Sequence, residues 1–231
     1  MDERLTSAFV VFVFLTAPAF LRAQLCSGNA SFRNGIFSVG AGLGFGSKAK
    51  SYGAAVAIGE ATGAWISGTV SQIDYDDIPE GAVSYGTTAG YSVPIGSGKK
   101  AEICPAVAFG YQSGPNQTFQ LDPVTFTTVY YTERDVALGA SIGGVVASTR
   151  KVDVVPSFAA AYDHARWSVK YDGERDSGTE DSGSLSFGVG FVINKVVTIV
   201  TVVAVPIGLP DAKASFGLGL GFNFGPKRQT P

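Results

Sequence analysis

A two-residue alternation limits this chain more than any other feature, because one face is large and apolar and the other is almost bare. Ile36 to Phe45 reads IFSVGAGLGF. Phe37, Val39, Ala41, Leu43 and Phe45 share one parity, and Ser38, Gly40, Gly42 and Gly44 share the other. Near the far end Phe216, Leu218, Leu220, Phe222 and Phe224 alternate with Gly217, Gly219, Gly221 and Asn223. Leu185, Phe187, Val189, Phe191 and Ile193 repeat the design against Ser186, Gly188, Gly190 and Val192. A period of two places successive side chains on opposite faces of a strand. No segment carries convincing helical spacing.

The second face decides the class. A soluble antiparallel sheet turns one face to its core and the other, rich in charge, to water. Here the second face is Gly, Ser and Ala. If the apolar face pointed inward, the outside would be nearly naked backbone weakened by glycine. If it points outward into lipid, the small residues line a narrow interior, which is the dyad pattern of a transmembrane barrel. Strands in lipid must close on themselves, since every backbone group needs an internal partner. A soluble β-sandwich or secreted barrel is the competing reading. The balance of 30 glycines in 231 residues, 16% charged residues and a net charge of −2 fits the barrel and speaks against a nucleic-acid partner.

Ten strands are expected, at 35–46, 51–60, 64–75, 82–95, 101–112, 126–148, 153–171, 184–194, 196–207 and 214–225, with eight or twelve as alternatives. Most reach the roughly 9–11 residues that cross the hydrocarbon when tilted. The fold class is therefore all-β, an antiparallel up-and-down transmembrane barrel over 34–225. Connections near 61–63, 96–100, 149–152 and 194–195 are short. Those at 74–82, 112–125 and 172–183 are longer and acidic, and read as outer loops. Aromatics cluster near strand ends as girdles at the lipid–water interfaces: Tyr75, Tyr85, Tyr111, Trp167 and Tyr171 toward the outer ends, Trp65, Tyr91, Phe222 and Phe224 toward the inner, periplasmic ends.

The first 23 residues contain AFVVFVFL, too short to span a bilayer and suited to a secretory signal cut before Gln24. Residues 24–33 then form a periplasmic N-terminal segment, and 226–231 a periplasmic tail. Export makes one disulfide the natural state of Cys26 and Cys104, the two cysteines of the chain. Both fall at the periplasmic end. Free thiols are the alternative. Lipidation of Cys26 is disfavoured, because Leu25 stands where a small residue is needed.

Candidate chemistry is sparse. His164 is the one histidine, so a multi-histidine metal site is excluded. Asp163 points to the opposite face from it, and Ser168 is about 13 Å along the strand. No catalysis and no cofactor are expected. By parity Glu133, Asp135 and Asp163 face the lumen near its outer mouth, with Asp74 as a candidate neighbour, and Glu102 faces inward near the periplasmic end. Such a wall favours cations, unless Arg134, Arg166 or loop lysines neutralise it. Calcium binding by Asp74, Asp76 and Asp77 lacks the loop spacing. Gly40–Gly44 lacks the lysine and the helix of a phosphate loop.

With these strands and its aromatic closing strand ASFGLGLGFNF, the chain resembles the small bacterial outer-membrane β-barrel domain family that includes the OmpA- and OmpW-like barrels. The resemblance implies a place in the outer membrane of a Gram-negative-type bacterium, contact with outer-membrane lipid, and handling by the barrel-assembly machinery. That machinery reads a terminal strand ending in Phe, whereas here Gly225–Pro231 follow Phe224. The expected function is a narrow passive pore for small solutes. The alternative is a closed structural or binding barrel that acts through its acidic outer loops.

Overall fold

The computed structural model describes residues 25–29, 37–60, 62–96, 100–120, 126–171, 173–208 and 213–225. The expected signal segment at 1–23, the tail at 226–231 and Asp122 and Asp172 lie outside the described residues.

Among the described residues, thirteen strands follow a turn of 3-10 helix at Leu25–Ser27: β1 Phe37–Phe45, β2 Ala49–Gly59, β3 Ala64–Tyr75, β4 Ile78–Tyr91, β5 Val93–Ile95, β6 Ala101–Ser113, β7 Gln117–Gln120, β8 Phe126–Gly144, β9 Ala147–Ser148, β10 Val152–Tyr171, β11 Glu174–Ile193, β12 Val197–Ile207 and β13 Ser215–Phe224. Ten of them form a closed antiparallel ring, β1-β2-β3-β4-β6-β8-β10-β11-β12-β13, and β13 returns to β1 with Phe224 opposite Phe37. β5, β7 and β9 are short additions along this ring. The ten expected strands are these ten, and closure removes every sheet edge that lipid could not satisfy.

The apolar face points outward. Leu138 is 60% exposed, Phe187 58% and Phe109 55%, the reverse of a water-soluble core. This belt spans 136–142 of β8, 156–162 of β10 and 185–191 of β11. Val197, Ile199, Val203 and Val205 on β12 share the outward parity, and Thr198 and Val200 are buried inside.

The short turns gather at the end where β1 begins. The tightest joins β11 to β12 through Asn194 and Lys195, both at positive φ (51° and 61°), the conformation of a two-residue hairpin turn. The opposite end differs from expectation. Two of its three expected long loops are strand. β3 runs to Tyr75 and β4 starts at Ile78, leaving only Asp76 and Asp77 as the turn. β11 starts at Glu174, directly opposite Tyr171 of β10. β8, β10 and β11 are 19, 20 and 20 residues long. At about 3.3 Å per residue such strands far outrun the membrane. Above the lipid both faces meet water, so the apolar alternation stops while the backbone ladder continues. That is why these hairpins read as polar loops.

The girdle is also revised. Tyr85, Tyr111, Tyr162 and Tyr91 are exposed on the outside. Trp65 and Tyr75, at 6% and 7% exposure, face the interior, because odd positions of β3 point inward. Trp167 likewise has inward parity and lies against Gly178.

Candidate functional site

The interior gathers buried polar side chains, and its wall follows from the bare parity. Ser51, Ser67, Thr69, Ala108, Ala161 and Ser184 contribute to the lining of a lumen cavity of about 250 Å³. Small side chains leave this volume open, since a ten-stranded ring is wider than one that side chains simply fill.

At the short-turn end the cavity meets the N-terminal segment. Residues 25–27 pack against β6, β8, β10 and β11. Cys26 and Cys104, each 1% exposed, are joined by a disulfide with Cα atoms 6.1 Å apart. Ser92 Oγ donates to Cys104 Sγ at 3.4 Å, and Cys26 Sγ rests 3.2 Å from the Glu102 carbonyl oxygen. Gly28 lies on Gly190 of β11 so closely that a Cβ there would stand 1.5 Å from the Gly28 oxygen. Gly28 itself has φ of 79°, open to glycine at little strain. Part of the segment expected at 24–33 is therefore inside the barrel mouth, bolted to its wall. Glu102, 2% exposed, is buried at this end, as its parity indicates. The cysteines also flank Glu102 in a three-residue cluster, but the disulfide leaves no thiolate to ligate a metal.

At the opposite mouth three adjacent strands assemble the acidic wall. Across β6, β8, β10 and β11 one row reads Gly110, Asp135, Ala165, Glu180. The next row outward reads Gln112, Glu133, Trp167, and the row below reads Ala108, Ala137, Asp163, Ser182. Glu133, Asp135 and Asp163 thus come together as parity suggested. The Asp135 carboxylate leans over Gly110, where a Cβ would meet it at 2.0 Å. Asp163 Oδ1 and Glu180 Oε2 are buried with no hydrogen-bond partner among the described residues. Glu180 joins the wall although its stretch of sequence reads as loop. Its even parity, continued back from Ser186, was the available signal.

Glu133 is buried and accepts a hydrogen bond from the Tyr131 hydroxyl. Burial pushes its carboxyl up to about 8. The Tyr131 bond works against that shift, and the charges of Asp135, Asp163 and Glu180 work with it. Burial also raises Glu180. Beside Glu133, Gln112 Nε2 donates to the Tyr75 hydroxyl at 3.3 Å and to the Gly114 carbonyl at 3.1 Å.

Three expected neighbours lie elsewhere. Asp74 has outward parity on β3, is exposed, and accepts a hydrogen bond from Gln72 at 3.2 Å. Arg134 and Arg166 do not neutralise the acidic wall, because even positions of β8 and β10 point away from the lumen. His164 is also outside. Its Nδ1 lies 2.7 Å from Asp181 Oδ1, which accepts a second hydrogen bond from the Tyr162 hydroxyl. The His164 bond, then the Tyr162 bond, hold Asp181 below the usual carboxylate range.

No family model matches the chain, and no curated protein does. In three dimensions it is similar to the β domain of the Bordetella autotransporter Brka, over 82% of this chain and 99% of that one, with a TM-score of 0.57 and 11% identity. It is also similar to the translocator domain of the autotransporter NalP from Neisseria meningitidis, over 83% of this chain and 88% of that one, with a TM-score of 0.55 and 11% identity. At such identity the likeness concerns the fold. Ten strands closed on themselves, an apolar belt facing outward and a small-residue lumen make this chain an integral β-barrel protein of the outer membrane.

Proposed function

We propose that the protein is a narrow pore for small solutes that carries its own plug at the short-turn, periplasmic end. The observation behind this reading is the placement of Cys26 to Asn29, buried in the mouth and tied through Cys104 to β6. The remaining wall of Ser, Thr, Ala and Gly suits water and small polar solutes. Asp135, Asp163 and Glu180 give the outer mouth a preference for cations, and Glu133 adds to it only where pH rises past about 8. The reading includes no catalytic step, since His164 and Asp181 pair on the outward face. Its partners are the surrounding lipid and, during biogenesis, the barrel-assembly machinery acting on β13.

The test is single-channel conductance of folded protein in a planar bilayer under a salt gradient. The oxidised wild type is expected to be silent. Dithiothreitol gives two electrons to the Cys26–Cys104 bond, leaving two thiols and a cyclic disulfide of the reagent, and discrete steps should then appear. Cys26→Ser with Cys104→Ser should conduct without reductant. The reversal potential should shift toward cations, and Asp135→Asn with Asp163→Asn should reduce that shift. Equal conductance of the oxidised and reduced forms would remove the plug from this reading. Folded, inserted and silent disulfide-free protein would favour a second reading, a closed barrel that works through its outer hairpins. The buried cluster of Ala49, Ile73, Tyr75 and Ala82 toward the outer mouth favours that alternative.

A further inference from the structure

The strands that carry the acidic wall inside carry a basic face outside. Arg134 of β8 and Arg166 of β10 are directly opposite one another, both exposed on the membrane side of the sheet. Four residues farther out Lys170 of β10 opposes Arg175 of β11, again both exposed. Like charges directly opposite across a ladder repel. None of these four cations forms an ion pair with a described residue. Arg175 instead donates to the Ser168 hydroxyl at 2.8 Å. Among the described residues on the outward faces of β8, β10 and β11, the acid near them is Asp181, already engaged by His164 and Tyr162. An external anion beside two such pairs in one column would relieve their repulsion.

Depth indicates which anion. The row that contains the arginine pair reads Tyr85, Tyr111, Arg134, Arg166, Thr179 from β4 to β11. Tyr85 and Tyr111 are exposed tyrosines at the rim of the apolar belt, which places the row at the lipid–water interface. Val136 on β8 and Tyr162 on β10 continue the belt just below. An anion reaching both guanidinium groups from outside is therefore one that lipid carries at headgroup depth. Guanidinium forks match phosphate oxygens in pairs, which a single ammonium cannot do. We propose that Arg134 and Arg166 form a docking site for the phosphate of an outer-leaflet lipid, with Lys170 and Arg175 extending it toward the headgroup's outer part. The site is independent of whether the lumen conducts.

Native mass spectrometry of the detergent-solubilised, disulfide-bonded protein with dioleoyl phosphatidic acid tests this, with dioleoyl phosphatidylcholine as the zwitterionic control. The wild type should bind the first phosphatidic acid more tightly than phosphatidylcholine. Arg134→Gln and Arg166→Gln should each weaken that affinity about fivefold, the effect of one basic side chain near an anionic lipid surface. Arg134→Lys with Arg166→Lys, which keeps the charge and loses the fork, should recover only part of it. Lys100→Gln with Lys195→Gln, exposed at the opposite rim, should change nothing. Excess inorganic phosphate should fail to displace the lipid. Equal binding of the two lipids, equal loss in the Lys100 and Lys195 variant, or full displacement by inorganic phosphate would overturn the proposal. Migration of the unheated protein as a folded barrel checks that each variant is native.

Discussion

Gly28 and Gly190 touch backbone to backbone inside the barrel, and a methyl group on Gly190 would overlap the Gly28 carbonyl at 1.5 Å. The contact lets the N-terminal segment lie flat on β11 while the disulfide holds it from the β6 side. Gly190→Ala is expected to lift the segment without altering the apolar belt. Overpacking of this kind costs about 1–3 kcal/mol, so reduction of the Cys26–Cys104 bond by dithiothreitol should be roughly 5- to 150-fold faster. Thiol trapping over time measures it. An unchanged rate would mean that the segment does not depend on this contact.

The disulfide should stabilise the whole barrel as well as place the segment. It closes a loop with a sequence separation of 78. Restricting the unfolded chain over that length is worth about 4.5 kcal/mol in the chain-entropy treatment. Cys26→Ser with Cys104→Ser should lower stability to urea in micelles by up to that amount. A barrel of unchanged stability would show that the bond serves placement alone.

Acid should strengthen the outer mouth. Glu133 ordinarily titrates at 4.5 and is raised to about 8 in the folded protein. Below about 4.5 both states hold the proton. Between 4.5 and 8 the unfolded chain has lost it while the folded one keeps it, so stability falls as pH rises through this window and levels off above it. Asp135, Asp163, Glu180 and Tyr131 face the same space, and the raised Glu180 acts in the same direction. Glu133→Gln should flatten the decline in urea midpoints measured across the window. An equally steep decline in the variant would place the titration elsewhere.

The belt and the lumen should respond oppositely to charge and polarity. Leu220 is the middle outward residue of β13, 44% exposed and flanked by Ile199 and Ala41. Leu220→Arg is expected to cost about 2–4 kcal/mol, the penalty for arginine near the bilayer midplane. Ala204→Ser, on the lumen wall of the neighbouring strand, should leave stability nearly unchanged. Urea unfolding in lipid vesicles compares the two. A tolerated Leu220→Arg would contradict the assignment of this face to lipid.

Some of this protein is written in local pattern. Phe37 to Phe45 and Phe216 to Phe224 display their faces in sequence, because alternation is a property of each strand alone. The same reasoning puts Glu133, Asp135, Asp163 and Glu102 inside. It falters where the environment changes along a strand. Glu174 to Glu180 continue β11 above the membrane, where water on both sides removes the apolar half of the pattern. Trp65 escapes the pattern for a related reason, since an aromatic near a strand end can serve either face.

Alternation along the chain specifies a transmembrane barrel with lipid outside, small residues inside and two cysteines at one end, and it leaves ten strands beside eight or twelve. Which rows meet is a property of the assembled ring. Register across β6, β8, β10 and β11 aligned Asp135 with Glu180 inside and Arg134 with Arg166 outside, and ring closure left room for Cys26 to Asn29 against Gly190. These are relationships between residues far apart in the chain. They depend on the stagger of a closed sheet, which no single strand's alternation encodes.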